Sequence, residues 1–408
     1  MRRLLLLLPA TGYANQDFIA AAKRLNIELV ACADYCHRLA PGWGLPPLMS
    51  VPFDQPEVAV QRVMAELKQI VDAVLAVDDH GADLAAQLRV ALGLPGNSPE
   101  AVTTLTDKLR FRELQQTARL PCPDFAEITD DTVDAAVALG FPLVVKARRL
   151  NASRGVIRVD DADQLRRALG QVRRIQARAQ RDAGERDLLV ERFIPGVEVA
   201  LDGMLTHGVL QVLAVFDKPD PLDGPYFEET LFITPSRLPA ATQSALAAAV
   251  QHACTASGVT EGAIHAEARI NDAGVWLLEI APRSIGGLCG RIFAVPFGMD
   301  MAEIVLRHAV GLPLPPANED MAAGVMMIPV PASGILQGVD GLDAARDVPD
   351  ITGIEITVHA GHLVAPPPEG ASYLGFIFSR AATPQNAECA LRAAHAALTI
   401  RIQPLLEP

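Results

Sequence analysis

Residues 262–287 read GAIHAEARINDAGVWLLEIAPRSIGG. Two apolar runs, Gly262–Ile270 and Val275–Ile280, flank the turn formers Asn271, Asp272, Ala273 and Gly274, so the segment predicts a β-hairpin. A hairpin sets Glu267 of one strand near Glu279 of the next. Two carboxylates held together among apolar residues repel unless a cation lies between them. Hard oxygen ligands select Mg²⁺ or Mn²⁺, commonly shared with nucleotide phosphates. A pair of salt-bridged glutamates is the bland alternative. Arg283 and the turn Ser284-Ile285-Gly286-Gly287 follow at once. They offer a cation and flexible N–H donors beside the carboxylates, which suits a substrate carboxylate or an acyl phosphate.

Upstream, Lys146 ends the apolar run Phe141-Pro142-Leu143-Val144-Val145. A lysine projecting from a buried strand needs an anionic partner, because an unpaired buried charge is costly. The small polar turn Asn151-Ala152-Ser153-Arg154-Gly155-Val156 follows. Its N–H groups and the Ser153 hydroxyl can fold over phosphates, although an ordinary hairpin with a surface lysine reads equally well. Next, Leu188-Leu189-Val190-Glu191-Arg192-Phe193-Ile194 runs into Pro195-Gly196-Val197-Glu198. Strand backbone there can meet an adenine edge, with Phe193 and Ile194 against the ring and Glu198 accepting from ribose hydroxyls. Alone, this segment reads as a hairpin with two surface glutamates. Val197–Leu201 and Val209–Phe216 continue the antiparallel strands, and Ala240–Ser257 and Met301–Val310 are helical.

The first hundred residues have a different texture. Leu4–Leu8, Ile27–Cys32 and Ile70–Val77 read as strands, alternating with helices near Asp17–Leu25, Val58–Leu67 and Ala82–Leu92. That alternation predicts a parallel α/β unit. Its ligand crevice lies past the strand ends, near Gly12 and Asp78-Asp79-His80. Pro313, Pro315 and Pro316 mark a linker, and short strands with a helix at Pro384–Ala397 close the chain.

Composition narrows the function. The 408 residues are half hydrophobic and carry a net charge of −13. An acidic chain disfavours nucleic-acid binding, where phosphate neutralisation dominates affinity. The arginines of the helix read as Asp163–Arg181 are therefore taken as a solvated face. Met1-Arg2-Arg3 before Leu4–Leu8 mimics a signal peptide, but its five-residue apolar run is short of an h-region of roughly 7–15 residues. No run approaches the roughly 18 apolar residues of a membrane span, so a cytoplasmic location is expected. Cys32, Cys36 and His37 lack the second spaced pair of a zinc site; the six cysteines read as reduced thiols.

The order of these parts resembles the ATP-grasp superfamily over roughly residues 100–310. The resemblance rests on Asp107-Lys108, the strand ending at Lys146, Ser153-Arg154-Gly155-Val156, the Glu191–Glu198 segment, His265-Ala266-Glu267 and Glu279-Ile280-Ala281-Pro282-Arg283. It implies an α/β and α+β fold. A Rossmann-like pre-ATP-grasp domain spans 1–103, and an ATP-grasp domain spans 104–312, with subdomains 104–188 and 189–312. A small C-terminal α+β domain covers 313–408. The resemblance also implies ATP and Mg²⁺ (or Mn²⁺) as cofactors. Lys108, Lys146 and Ser153 would contact phosphates; Glu191, Arg192, Phe193 and Ile194 would hold adenine and Glu198 ribose. Glu267 and Glu279 would bind the metal, and Arg283, with Lys146, would act on the reacting acyl group. The segment Phe227-Glu228-Glu229-Thr230, the later Thr234-Pro235-Ser236 and the C-terminal domain look most like the carboxylate–amine ligases that include L-amino acid ligases. Glu228 or Glu229 would then receive a substrate ammonium. N–H groups near Gly286 and Gly287 would supply oxyanion donors; His265 is a candidate base, and a satisfied structural histidine reads at least as well. The implied partners are a small carboxylate and an amine, amino acids foremost, with no nucleic acid or membrane; a homodimer is a family-level expectation. One position departs: Ala281 stands where the superfamily commonly has Asn, two residues after the second metal glutamate. A bicarbonate-activating carboxylase and a non-catalytic nucleotide binder share these motifs and stay open as alternatives.

Overall fold

A computed structural model describes residues 2–10, 12–35, 48–129, 133–179, 187–318, 320–370 and 372–405. Its N-terminal unit is a parallel sheet in the order Leu48–Ser50, Glu28–Ala33, Arg3–Leu8, Ala73–Ala76. The Arg3–Leu8 strand is central and covered on both faces, which is why it reads as an uninterrupted leucine run. Leu5 and Leu7 face one core with Val63, Leu84 and Leu88. Leu4, Leu6 and Leu8 face a second core shared with Phe293, Met301 and Ile304 from beyond the hairpin. The run of leucines thus glues the N-terminal unit to the rest of the chain. Cys32 is buried in this unit; Cys36 and His37 lie outside the described residues.

A four-stranded antiparallel sheet follows, ordered Phe125–Ile128, Leu188–Arg192, Leu143–Ala147, Val156–Val159. The helix Ala162–Ala179 lays Leu165, Leu169, Val172 and Ile175 on it, and its arginine 166 points outward, paired with Asp163. A short helix, Pro99–Thr106, leads out of the N-terminal unit. Ser98 caps it by accepting the Ala101 N–H at 3.1 Å, and proline occupies the first turn, where its missing donor costs nothing.

An eight-stranded antiparallel sheet completes the fold. Its order is Gly274–Ala281, Gly262–Asn271, Val197–Thr206, Val209–Asp217, Leu231–Thr234, Ala322–Ile328, Gly375–Ala381, Ile351–Ile356. The C-terminal segment therefore does not stand apart as the sequence suggests. Ala322–Ile328 pairs directly with Leu231–Thr234, so one sheet runs across the Pro313–Pro316 linker. Only a three-stranded sheet, Leu363–Val364, Gly334–Asp340 and Thr399–Gln403, is private to the segment. The sequence hides this because register between distant strands depends on side chains that neither strand shows locally.

Leu6 is fully buried in the shared core. Leu6→Ala is expected to lower unfolding free energy by about 2–5 kcal/mol. Denaturant titration checks this; a loss near zero would mean that the interface tolerates the cavity and that Leu6 is not part of the glue.

Candidate active site

The small sheet, the large sheet and the strand ends of the N-terminal unit enclose a cavity of about 500 Å³. Each element delivers its polar groups by simple rules of periodicity. In the Leu188–Arg192 strand, Glu191 points inward and its neighbour Arg192 outward. Arg192 is exposed and does not line the cavity. Glu191 is anchored: its carboxylate lies 2.8 Å from Arg112 Nε and 2.5 Å from Lys146 Nζ. Burial pushes the Glu191 pKa up, but the charges of Arg112 and Lys146 outweigh it and bring the group down to about 2. Glu191 thus holds Lys146 and Arg112 in place. For Lys146, burial lowers the pKa and Arg112 adds to that, against the support of Glu191. A further anion in the cavity would satisfy this ammonium.

The hairpin sets Glu267 directly opposite Glu279, with a register shift immediately after the pair. Both line the cavity. Glu279 lies 3.4 Å from Lys108 Nζ, which also donates to the Leu150 carbonyl at 2.7 Å. Glu267 turns to His265 and Lys218, each 3.4 Å away. His265 is clamped between Asp202 at 3.2 Å and Glu267 at 3.4 Å. Burial lowers its pKa, yet the two carboxylates prevail and raise it to about 9. Clamped between two carboxylates, His265 has the surroundings of a satisfied structural histidine.

Several carboxylates converge elsewhere than expected. Glu198, Glu229 and Glu267 bring oxygens within 4.8 Å of one another. Lys218 fills the space between them, 2.9 Å from Glu198 and in still closer contact with Glu229. Arg269 adds a second cation to Glu198 at 3.1 Å. That trio is a buried ion-pair knot. Glu267 belongs to that trio and also stands opposite Glu279 in the hairpin register, so carboxylates of the kind a divalent ion prefers line the cavity on both hairpin strands. Phe193 and Ile194 line the cavity beside Glu198. The Phe193 ring stacks on Phe227 with centroids 6.5 Å apart, while its N–H donates to Pro142 O at 3.0 Å. Glu228, by contrast, does not line the cavity.

Ser153 lies in the lining with Arg154, whose buried Nε has no partner. The turn is fixed from two sides: Asn151 Nδ2 reaches Asp79 at 3.3 Å, and the Gly155 N–H donates to Pro368 O at 3.4 Å. Arg283 Nη2 lies 2.7 Å from Asp79 Oδ2, and Gly286 and Gly287 line the wall next to it. Sequence reading singled out Asp78-Asp79-His80 only as a crevice and missed Arg112, Lys218 and Arg269 altogether. Lys218 had a signal: it ends an apolar strand, as Lys146 does. Arg112 had none, since it sits in a helix, Lys108–Thr117, of ordinary polar composition.

The Glu191 contribution to stability is complete above about 4.5, its unfolded value, and is lost as pH falls toward about 2. Glu191→Gln is expected to flatten this acid limb and, at neutral pH, to cost about 3–5 kcal/mol by leaving cations unpaired. Thermal midpoints from pH 7 to pH 3 check both; an unchanged acid slope would remove the ion-pair account.

Comparison with known proteins bears on this geometry. Residues 139–292 match the model of the ATP-grasp domain, and 326–403 match that of the L-amino acid ligase C-terminal domain 2. Carnosine synthase 1 of Gallus gallus is 32% identical over 276 residues, which is 63% of this chain and 30% of that protein. The chain thus spans under a third of that relative's length. D-alanine–D-alanine ligase of Stutzerimonas stutzeri is 29% identical over 228 residues, 52% of this chain and 68% of that enzyme. The crystal structure of L-amino acid ligase from Bacillus licheniformis superposes with a TM-score of 0.82 at 25% identity, covering 99% of both chains. The chain thus carries an ATP-grasp domain over residues 139–292, followed by a segment that matches the L-amino acid ligase C-terminal domain.

Proposed function

We propose that this protein is an ATP- and Mg²⁺-dependent ligase that joins a carboxylate to an amine. The observation that carries the reading is the content of one cavity: Lys108, Lys146 and Arg154 on one side, Glu267 and Glu279 on the next, and Arg283 on the third. The relatives named above as amino-acid ligases support amino acids as substrates.

In the reaction, a carboxylate oxygen attacks the γ-phosphorus of ATP and ADP departs, leaving an acyl phosphate. The amine nitrogen then attacks the acyl carbon, the carbon–oxygen bond to phosphate breaks, and the amine loses a proton. Lys108, Lys146 and Arg154 offset phosphate charge, and Ser153 with its turn covers it. A divalent cation at Glu267 and Glu279 supplies further positive charge against the phosphates. Arg283 orients the acyl group, held in place by Asp79. The N–H groups near Gly286 and Gly287 stabilise the oxyanion; losing one such donor typically costs about 10²–10³ in rate. The bound Lys218 and the protonated His265 keep the acidic knot from repelling the nucleotide.

ATP-dependent phosphate release with Mg²⁺ and a pool of L-amino acids, paired with a mass search for a new amide, tests the reading. Release with bicarbonate alone would assign the carboxylase alternative instead. Glu279→Ala is expected to abolish turnover while leaving the fold intact, and near-normal turnover would remove the metal role. Lys146→Ala is expected to weaken ATP binding; an unchanged affinity by titration would remove the phosphate role.

A further inference from the structure

The carboxylates that line the cavity are Asp78, Asp79, Glu191, Glu198, Glu229, Glu267 and Glu279. Six of them have a cation within 4.0 Å: Arg283 for Asp79, Arg112 and Lys146 for Glu191, Lys108 for Glu279, and Lys218 for the other three. Among the described residues Asp78 has none. Its Oδ1 accepts the His80 N–H at 2.9 Å, which caps the short turn Asp79–Gly81 and fixes the side chain at the cavity wall. The nearest cationic side chains are already engaged: Arg283 by Asp79, and His80 by Asp34 at 3.4 Å. Asp78, Asp79 and Arg283 therefore sum to one uncompensated negative charge. Burial, reinforced by the Asp79 carboxylate, raises Asp78 to about 6. A half-buried anion without a cationic partner is an unfavourable arrangement unless a ligand completes it.

Glu229, the ammonium receptor suggested by sequence, is already in contact with the Lys218 ammonium. Asp78 lines the same cavity next in sequence to Asp79, the partner of Arg283. An amino-acid zwitterion has the matching polarity, with its carboxylate toward Arg283 and its nitrogen toward the free carboxylate.

We propose that Asp78 is the receptor for the ammonium group of an amino-acid substrate. This rests on the ligase reading above and adds to it a residue of the N-terminal unit that selects substrates bearing a cationic nitrogen. The hydrogen-bonded ion pair so formed discriminates against carboxylates that lack the nitrogen by about 10- to 100-fold.

The test is binding by the full chain, saturated with MgADP and followed by thermal midpoint. One titrant is an equimolar mixture of the twenty common L-amino acids; the other is a mixture of acetate, propionate and succinate. Wild type is expected to gain a further upward shift with amino acids and little with the nitrogen-free acids. Asp78→Asn keeps the oxygen that caps the turn, so its fold and its MgADP shift should persist. Its half-shift concentration for amino acids should rise about 10- to 100-fold, erasing the preference, and Asp78→Glu should restore part of it. An undiminished amino-acid shift in Asp78→Asn would overturn the receptor and leave the ligase reading intact. A wild type that responds to MgADP and to the nitrogen-free acids equally well as to amino acids would also overturn it, again without touching carboxylate activation. Loss of the MgADP shift itself in wild type would instead strike the ligase reading.

Discussion

The buried carboxylate of Glu191 is the constraint on which the site depends. It joins Lys146 on one strand of the small sheet to Arg112 on the helix Lys108–Thr117. Arg112 then donates to the Leu277 carbonyl at 3.3 Å, and Gln115 of the same helix donates there at 3.0 Å. Leu277 belongs to the hairpin strand that bears Glu279. One knot of charge thus sets the spacing between the two sheets and so the width of the cavity. A buried pair of this kind contributes little net stability compared with an apolar substitute, but breaking it is expensive. Its value here is geometric: it fixes the lysine and the hairpin relative to each other.

The same logic recurs at each wall. Lys218 binds Glu198, Glu229 and Glu267 together, and Asp202 accepts the Ile285 N–H at 3.1 Å while bonding His265. Asp79 ties Arg283 and the Asn151 turn to the N-terminal unit. Tyr13 Oη accepts the Tyr373 N–H at 3.3 Å, which brings the C-terminal segment over the same cavity. Residues from all three stretches of chain are therefore fixed around one space by polar contacts.

Much of this was legible in the sequence because it is local. The Asn271–Gly274 turn and the flanking apolar runs specify the hairpin, and the hairpin specifies that Glu267 faces Glu279. The leucine run specifies a strand covered on both sides. What was not legible is nonlocal. Nothing near Ala322 announces that its strand will extend the central sheet, since pairing with Leu231–Thr234 is settled by cores assembled from distant residues. The ion pairs of Glu191, Glu229 and His265 were not legible for a related reason: their partners Arg112, Lys218 and Asp202 lie far away in sequence. Arg192 shows the converse: a residue inside a motif whose direction is dictated by the strand's alternation.

Lys108, Lys146 and the partnerless Nε of Arg154 line the cavity together with Asp78 and the Asp79–Arg283 pair. Asp79 also holds the Asn151 turn, which ties the phosphate-facing turn to the N-terminal unit. On the ligase reading proposed above, a polyanion would be held by the cations. A zwitterion would be oriented with its carboxylate toward Arg283 and its nitrogen toward Asp78, because that alignment pairs each charge with its opposite. The orientation needed to activate a carboxylate would then follow from one aspartate without a cation and one paired arginine, before any contact with the substrate's side chain is made.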